Sequence, residues 1–148
     1  MASIAEQLKL IEKQIQLKIQ DAMQKEVATE VIKVAQNKVD EVVYKQYKPK
    51  SYRRTGELRK DFVSNPTANG IVITNTRSEG GNNISEIIES GEGYHYSSDK
   101  GYNTFDKEGR TYETPRPFFE NTRNELRKNK QHVQALKLGL IKRGITVV

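Results

Sequence analysis

The stretch Thr114-Pro115-Arg116-Pro117-Phe118-Phe119 decides how this chain divides. It closes a segment rich in Gly, Tyr and Ser and opens the last long apolar-periodic run. Pro117 suits the first helical position, where its missing N–H has no intrahelical partner and its φ is already near helical. Arg116, lying before a proline, is steered away from the α region. The pattern therefore predicts a helix from Pro117 to Arg143, with Phe118 and Phe119 as anchors in its first turn. Phe119, Leu126, Val133 and Leu140 recur every seven residues along it, flanked by Leu136 and Ile141. Lys142-Arg143-Gly144 closes it with cations beside the negative helix end and a left-handed stop. Ile145–Val148 is left as an edge strand or a frayed end.

Working back from that junction, Glu92 to Thr114 holds Tyr94, His95, Tyr96, Tyr102, Phe105 and Tyr112 among many Gly, Ser, Asp and Asn residues. That composition is not core, and the segment is too long for a passive connector. It reads as an arm ordered by a partner. Before it, Ile84, Ile87 and Ile88 stand at helical spacing with Gly91 as a stop. Gly70–Asn75 is the clearest strand, and Asn69-Gly70 reads as a hairpin turn supplying positive φ. Phe62–Ser64 reads as the facing strand, ended by Asn65-Pro66. Thr55 caps one helical turn, which sets Leu58 and Phe62 on the same side.

Residues 3 to about 45 read as one long helix. Ser3 with Glu6 forms a capping box. Ile4, Leu8, Ile11, Ile15, Ile19, Ala22, Val27, Val31, Val34 or Ala35, and Val39 then recur at steps of mostly three and four. Such a helix is about 60 Å long, too long for a domain of this size, so one end is expected to pack on its own domain and the other on a neighbour. The Tyr44–Arg54 segment is a basic, aromatic linker. Its Tyr and Arg residues are of the kind that contact nucleic acid, but a solvated connection covering the helix end is the simpler reading.

The chain has 148 residues, 34% apolar and 30% charged, with 7 Tyr, 4 Phe and no Trp. That is a lean core for one domain, divided as 1–48, 49–114 and 115–148. The expected fold class is α+β: a long N-terminal helix, a small antiparallel β-sheet with a short helix and a long loop, and a C-terminal helix packed on the sheet. With no Cys, disulfides and thiolate metal sites are excluded, which fits a reducing compartment. No stretch approaches the roughly 20 apolar residues that span a bilayer, so no membrane is expected.

The net charge of +6 is uneven. Residues 1–48 carry 8 basic and 7 acidic side chains and residues 49–75 carry 5 and 2. Residues 76–114 carry 4 and 8, for −4, and residues 115–148 carry 8 and 2, for +6. Nucleic-acid binding explains the basic flanks but not the acidic centre. Complementary charge between subunits explains both.

Little in the sequence supports an enzyme. His95 and His132 lie in different elements without a second ligand at metal spacing. Glu86 and Glu89 read as a solvated face of a short helix, and Ser85 and Ser90 have no partner base. Gly91-Glu92-Gly93 lacks the context of a phosphate loop. No catalytic residue, cofactor or metal is expected.

The order of units resembles the tail-completion or head–tail joining (neck) family of tailed bacteriophages. Thr55, Gly56, Leu58 and Arg59 match that family's TG-x-LR segment. Glu89, Gly91 and Gly93 approximate its E-x-G segment, with Ser90 and Glu92 as departures, and Arg116, Pro117 and Phe118 match its closing RPF segment. The resemblance implies a virion protein at the head–tail junction, assembled as a ring such as a hexamer or dodecamer. Its partners would be neighbouring neck or adaptor and tail-tube proteins around the DNA path, without sequence-specific DNA binding. Candidate interface residues are Arg53, Arg54, Tyr94, Tyr96, Tyr102, Phe105, Arg116, Arg123 and Arg127. The alternative is a basic nucleic-acid-binding module using Arg53, Arg54, Arg59 and the last helix.

Overall fold

Ser3 starts the long helix by the reciprocal capping its sequence encodes. The Glu6 amide donates to Ser3 Oγ at 3.3 Å, and the Ser3 amide donates to Glu6 Oε2 at 2.6 Å. The structure is a computed structural model, and it describes residues 1–45, 54–92 and 115–148. The helix runs as α1 (Ile4–Ala22), a π turn (Met23–Val27), α2 (Ala28–Val39) and a second π turn (Asp40–Tyr44). Each π turn inserts one residue into the α-helical repeat, and the first spans the five-residue step from Ala22 to Val27.

The two halves of this helix have different surroundings. Every residue from Met1 to Ile19 is exposed. From Ala22 onward Val27, Ala28, Val34, Ala35, Val39 and Val43 are buried. The first half is thus a projecting stem about 24 Å long, and the second is the spine of the folded body.

The remaining elements gather on that spine. Gly56 takes a left-handed conformation, φ +75°, and opens the one-turn helix α3 (Glu57–Lys60). The strands β1 (Phe62–Thr67) and β2 (Gly70–Asn75) pair antiparallel, from Phe62↔Asn75 to Thr67↔Gly70. Two details differ from expectation. β1 continues through Pro66, which a two-stranded sheet tolerates because one flank of each strand needs no ladder partner. Neither Asn69 nor Gly70 has a positive φ, so this turn is not of the expected type. The left-handed pair falls instead at Gly80 and Gly81, φ +57° and +82°. They join β3 (Ser78–Glu79) to β4 (Asn82–Asn83) in a tight second hairpin. Asn83 then caps α4 (Ile84–Ser90), which stops at Gly91, φ +74°.

The C-terminal helix is two helices. α5 (Phe118–Asn129) and α6 (Gln131–Lys142) meet at Lys130, a non-glycine residue with φ +56°. The seven-residue repeat is thereby cut between Leu126 and Val133. α5 lies along α2 and α6 against the first π turn and the end of α1. α6 stops at Lys142 with Gly144 left-handed as expected, and Ile145–Val148 forms no strand.

The architecture is α+β, with the hairpin and the C-terminal helices arranged on a long N-terminal helix. Its core joins Ala35, Val39 and Val43 of the spine to Leu58, Phe62 and Phe118. Phe118 is fully buried, and Phe62 meets the edges of Phe118 and Phe119 at centroid distances of 6.1 and 5.9 Å. Through these rings the start of α5 packs on the sheet.

Candidate assembly interface

Pro117 has no side chain able to cap a helix, and it stands one position earlier than expected, as the N-cap of α5. The orphan amides of the first turn are met from elsewhere. The Phe119 amide donates to Glu89 Oε2 at 2.8 Å and the Glu120 amide to Glu89 Oε1 at 3.0 Å. One carboxylate from α4 therefore caps α5 with both oxygens, where the helix dipole favours negative charge. The Arg116 amide donates to Ile88 O at 2.9 Å beside it. Glu89 is thus not part of a solvated acidic face, whereas Glu86 on the same helix is exposed. These contacts tie the end of α4 to Arg116 and the start of α5.

A second junction closes the spine. Arg54 donates from Nη1 to Tyr44 O at 2.7 Å and from Nη2 to Val43 O at 3.3 Å. Its guanidinium also lies 5.1 Å from the centroid of the Tyr44 ring. A cation on the last carbonyls is a favourable helix ending. Burial pushes the Tyr44 phenol up from its ordinary pKa. Arg59 pairs with Asp40 at 3.0 Å, and its carbonyl accepts from Gln36 Nε2 at 3.0 Å. Asn75, buried, donates to Leu58 O at 2.7 Å. The Thr55–Arg59 segment is in this way fastened to the helix end and to the sheet.

The surface beyond these junctions is charged in blocks. α5 presents Arg123, Arg127 and Lys128 to solvent. On its inner side Glu125 meets Lys38 at 2.5 Å, and Glu41 meets the same lysine at 2.8 Å. The Glu125 and Glu41 carboxylates hold the Lys38 amine above its ordinary pKa. At the root of the stem Arg143 forms ion pairs with Asp21 and Glu26, at 2.7 and 3.0 Å. Lys25 and Arg143 hold the Asp21 carboxyl below the usual range, and Arg143 does the same for Glu26. Gly139 is buried there, and a Cβ on it would fall 3.0 Å from the Ala22 Cβ.

Of the expected interface residues, Arg123 and Arg127 lie on one exposed helix face. Arg54 is engaged with its own helix end, and Arg116 lies inside the chain at 7% exposure. Arg116 is therefore better described as part of the junction than of an outer surface. Arg53, Tyr94, Tyr96, Tyr102 and Phe105 lie outside the described residues. The nucleic-acid alternative drew on Arg54 and Arg59, both of which make the internal contacts above. Sequence reasoning missed Glu89, because its amides lie 30 and 31 positions away and no local capping pattern marks it. Among the described residues no cluster of His, Asp and Glu is arranged to hold a metal, and no helix is long and apolar enough to cross a membrane.

Residues 7–142 match the protein family described as YomN. A protein of Bacillus subtilis (strain 168), described as "SPbeta prophage-derived uncharacterized protein YomN", is 36% identical over 115 residues. The alignment covers 78% of this chain and 76% of that relative. No solved structure matches the chain.

Proposed function

Because the chain belongs to the YomN family and is phage-derived, we propose that it is a structural virion protein of a tailed phage. It sits at the head–tail junction, as a tail-completion or joining component assembled into a ring, and it performs no catalysis. The family match carries the phage origin; the neck role rests on the resemblance and on how its motifs meet. Leu58 of the first motif and Phe118 of the third share one buried cluster. Glu89 of the second caps the helix that the third begins. That convergence is the observation that carries the reading: three short motifs far apart in sequence build one joint.

The charge map supplies the mode of assembly. The exposed Arg123 and Arg127 face of α5 forms the basic half of a contact whose acidic half lies in the 76–114 region of the next subunit. Assembly takes place in the host cytoplasm, and the mature location is the virion.

Disrupting the gene in a phage that carries it is expected to yield separate heads and tails by electron microscopy. Complementation with Arg123→Glu/Arg127→Glu is expected to restore joining poorly. Complete, infectious particles without the protein would overturn the reading. Binding of DNA that weakens steeply with salt, together with absence from purified particles, would favour the nucleic-acid alternative.

A further inference from the structure

The stem from Ile4 to Ile19 has two apolar rows, not one. Ile4, Leu8, Ile11 and Ile15 form the first, exposed by 78, 61, 53 and 42%. Leu10 and Leu17, seven residues apart and exposed by 58 and 61%, form the second. At 100° per residue the rows point about 140° apart, on well-separated sides of the helix. The first row runs in line with Ala22, which is fully buried where Gly139 of α6 crosses it. α6 ends at Lys142, so a seam that the body fills at Ala22 continues uncovered along the stem.

We propose that each stem packs between the stems of two neighbouring copies, the first row of one against the second row of the next, as staves of a closed bundle. This rests on the ring reading above and names the element that closes the ring. A single two-fold pair of stems leaves Leu10 and Leu17 bare. Contacts on both sides use both rows and double the buried face, and a heterologous contact closes into a ring when its rotation does. Charge agrees. In a parallel arrangement with the first row facing the second, Glu12 of one stem comes to the same side of the contact, and the same height, as Lys13 of the next. The stem as a whole mixes Glu6 and Glu12 with Lys9, Lys13 and Lys18, so copies are not repelled.

The chain has no native cysteine, which makes cross-linking a clean test on the full-length protein. Leu10→Cys combined with Ile11→Cys places thiols on opposite rows at one height. Mild oxidation is expected to give a covalent ladder extending beyond the dimer, and either single variant is expected to give almost none. A dimer from Ile11→Cys alone would replace the bundle by a two-fold pair. The absence of a ladder from the double variant would overturn the proposal. As a second measurement, Leu8→Lys/Leu17→Lys is expected to lower the self-association constant at least tenfold by sedimentation velocity, with unchanged far-UV circular dichroism. A wild-type chain that stays monomeric at high concentration would also sink the idea. A ladder from a protein absent from particles leaves the bundle standing and removes the neck role. A protein found at the neck that gives no ladder does the reverse.

Discussion

Removing the Glu89 carboxylate should loosen the α4–α5 joint and little else. It accepts from two first-turn amides, at 2.8 and 3.0 Å. Hydrogen bonds to a charged group contribute about 1.5–3 kcal/mol each when buried. Glu89 is only partly buried, so the range for helix capping, roughly 0.5–2 kcal/mol, is the better guide. The helix dipole adds about 0.3–1 kcal/mol. Glu89→Ala is therefore expected to cost about 2 kcal/mol. Glu89→Gln, which keeps one acceptor oxygen but loses the charge, is expected to cost about 1 kcal/mol. For a chain of this size about 2 kcal/mol lowers Tm by roughly 4–8 °C. Urea titration followed by circular dichroism gives the stability change. Amide exchange gives its location, with protection lost first at Phe119 and Glu120. Glu86→Ala, on the exposed side of the same helix, serves as the control and should stay within about 0.5 kcal/mol of wild type. A Glu89→Ala protein that matches this control, with Phe119 and Glu120 still protected, would refute the cap as the element holding the joint.

Two other perturbations test the C-terminal half. Lys130 has φ +56°, a conformation that costs a residue with a Cβ about 1–2 kcal/mol; after the backbone entropy of glycine is set against it, Lys130→Gly should raise stability by roughly 0.5–1 kcal/mol, read as a higher urea midpoint at unchanged slope. The carboxyls of Asp21 and Glu26 are held below their ordinary pKa, the first by Lys25 and Arg143 and the second by Arg143. The unfolded chain therefore binds more protons than the folded one in acid, so this contribution is complete above about pH 4.5 and is lost as pH falls through the depressed folded values. Arg143→Gln should flatten the acid limb of the stability curve, and an unchanged limb would mean the cluster contributes nothing.

Much of the scaffold was legible because its signals are local. Ser3 and Glu6 sit three residues apart, Gly91 and Gly144 are left-handed stops, and Ile71-Val72-Ile73 is a compact β-branched run. The misses share a cause of another kind. Lys130 breaks the run at a point with no Gly or Pro beside it, because α5 follows α2 while α6 follows the end of α1; tertiary packing overrides propensity there. Glu89 and Arg54 read as surface charge, yet each satisfies backbone groups that only the fold brings near. Arg116 read as an interface residue and is buried. Exposure of the stem stripe, by contrast, followed from length alone, since a helix of about 60 Å exceeds the body that could cover it.

The two π turns give the long helix a property that neither its caps nor its core supplies. Each holds one residue more than an α-helical turn needs. Losing that residue at Met23–Val27 would restore a regular helix without cutting the chain, and would turn everything before it by about 100°. The body from Ala28 onward would stay in place while both rows of the stem swung to new bearings. A one-residue change in length at this point therefore acts as a rotary adjustment of the stem, opposed by the Ala22–Gly139 packing and the Asp21–Arg143 pair that fix its present bearing.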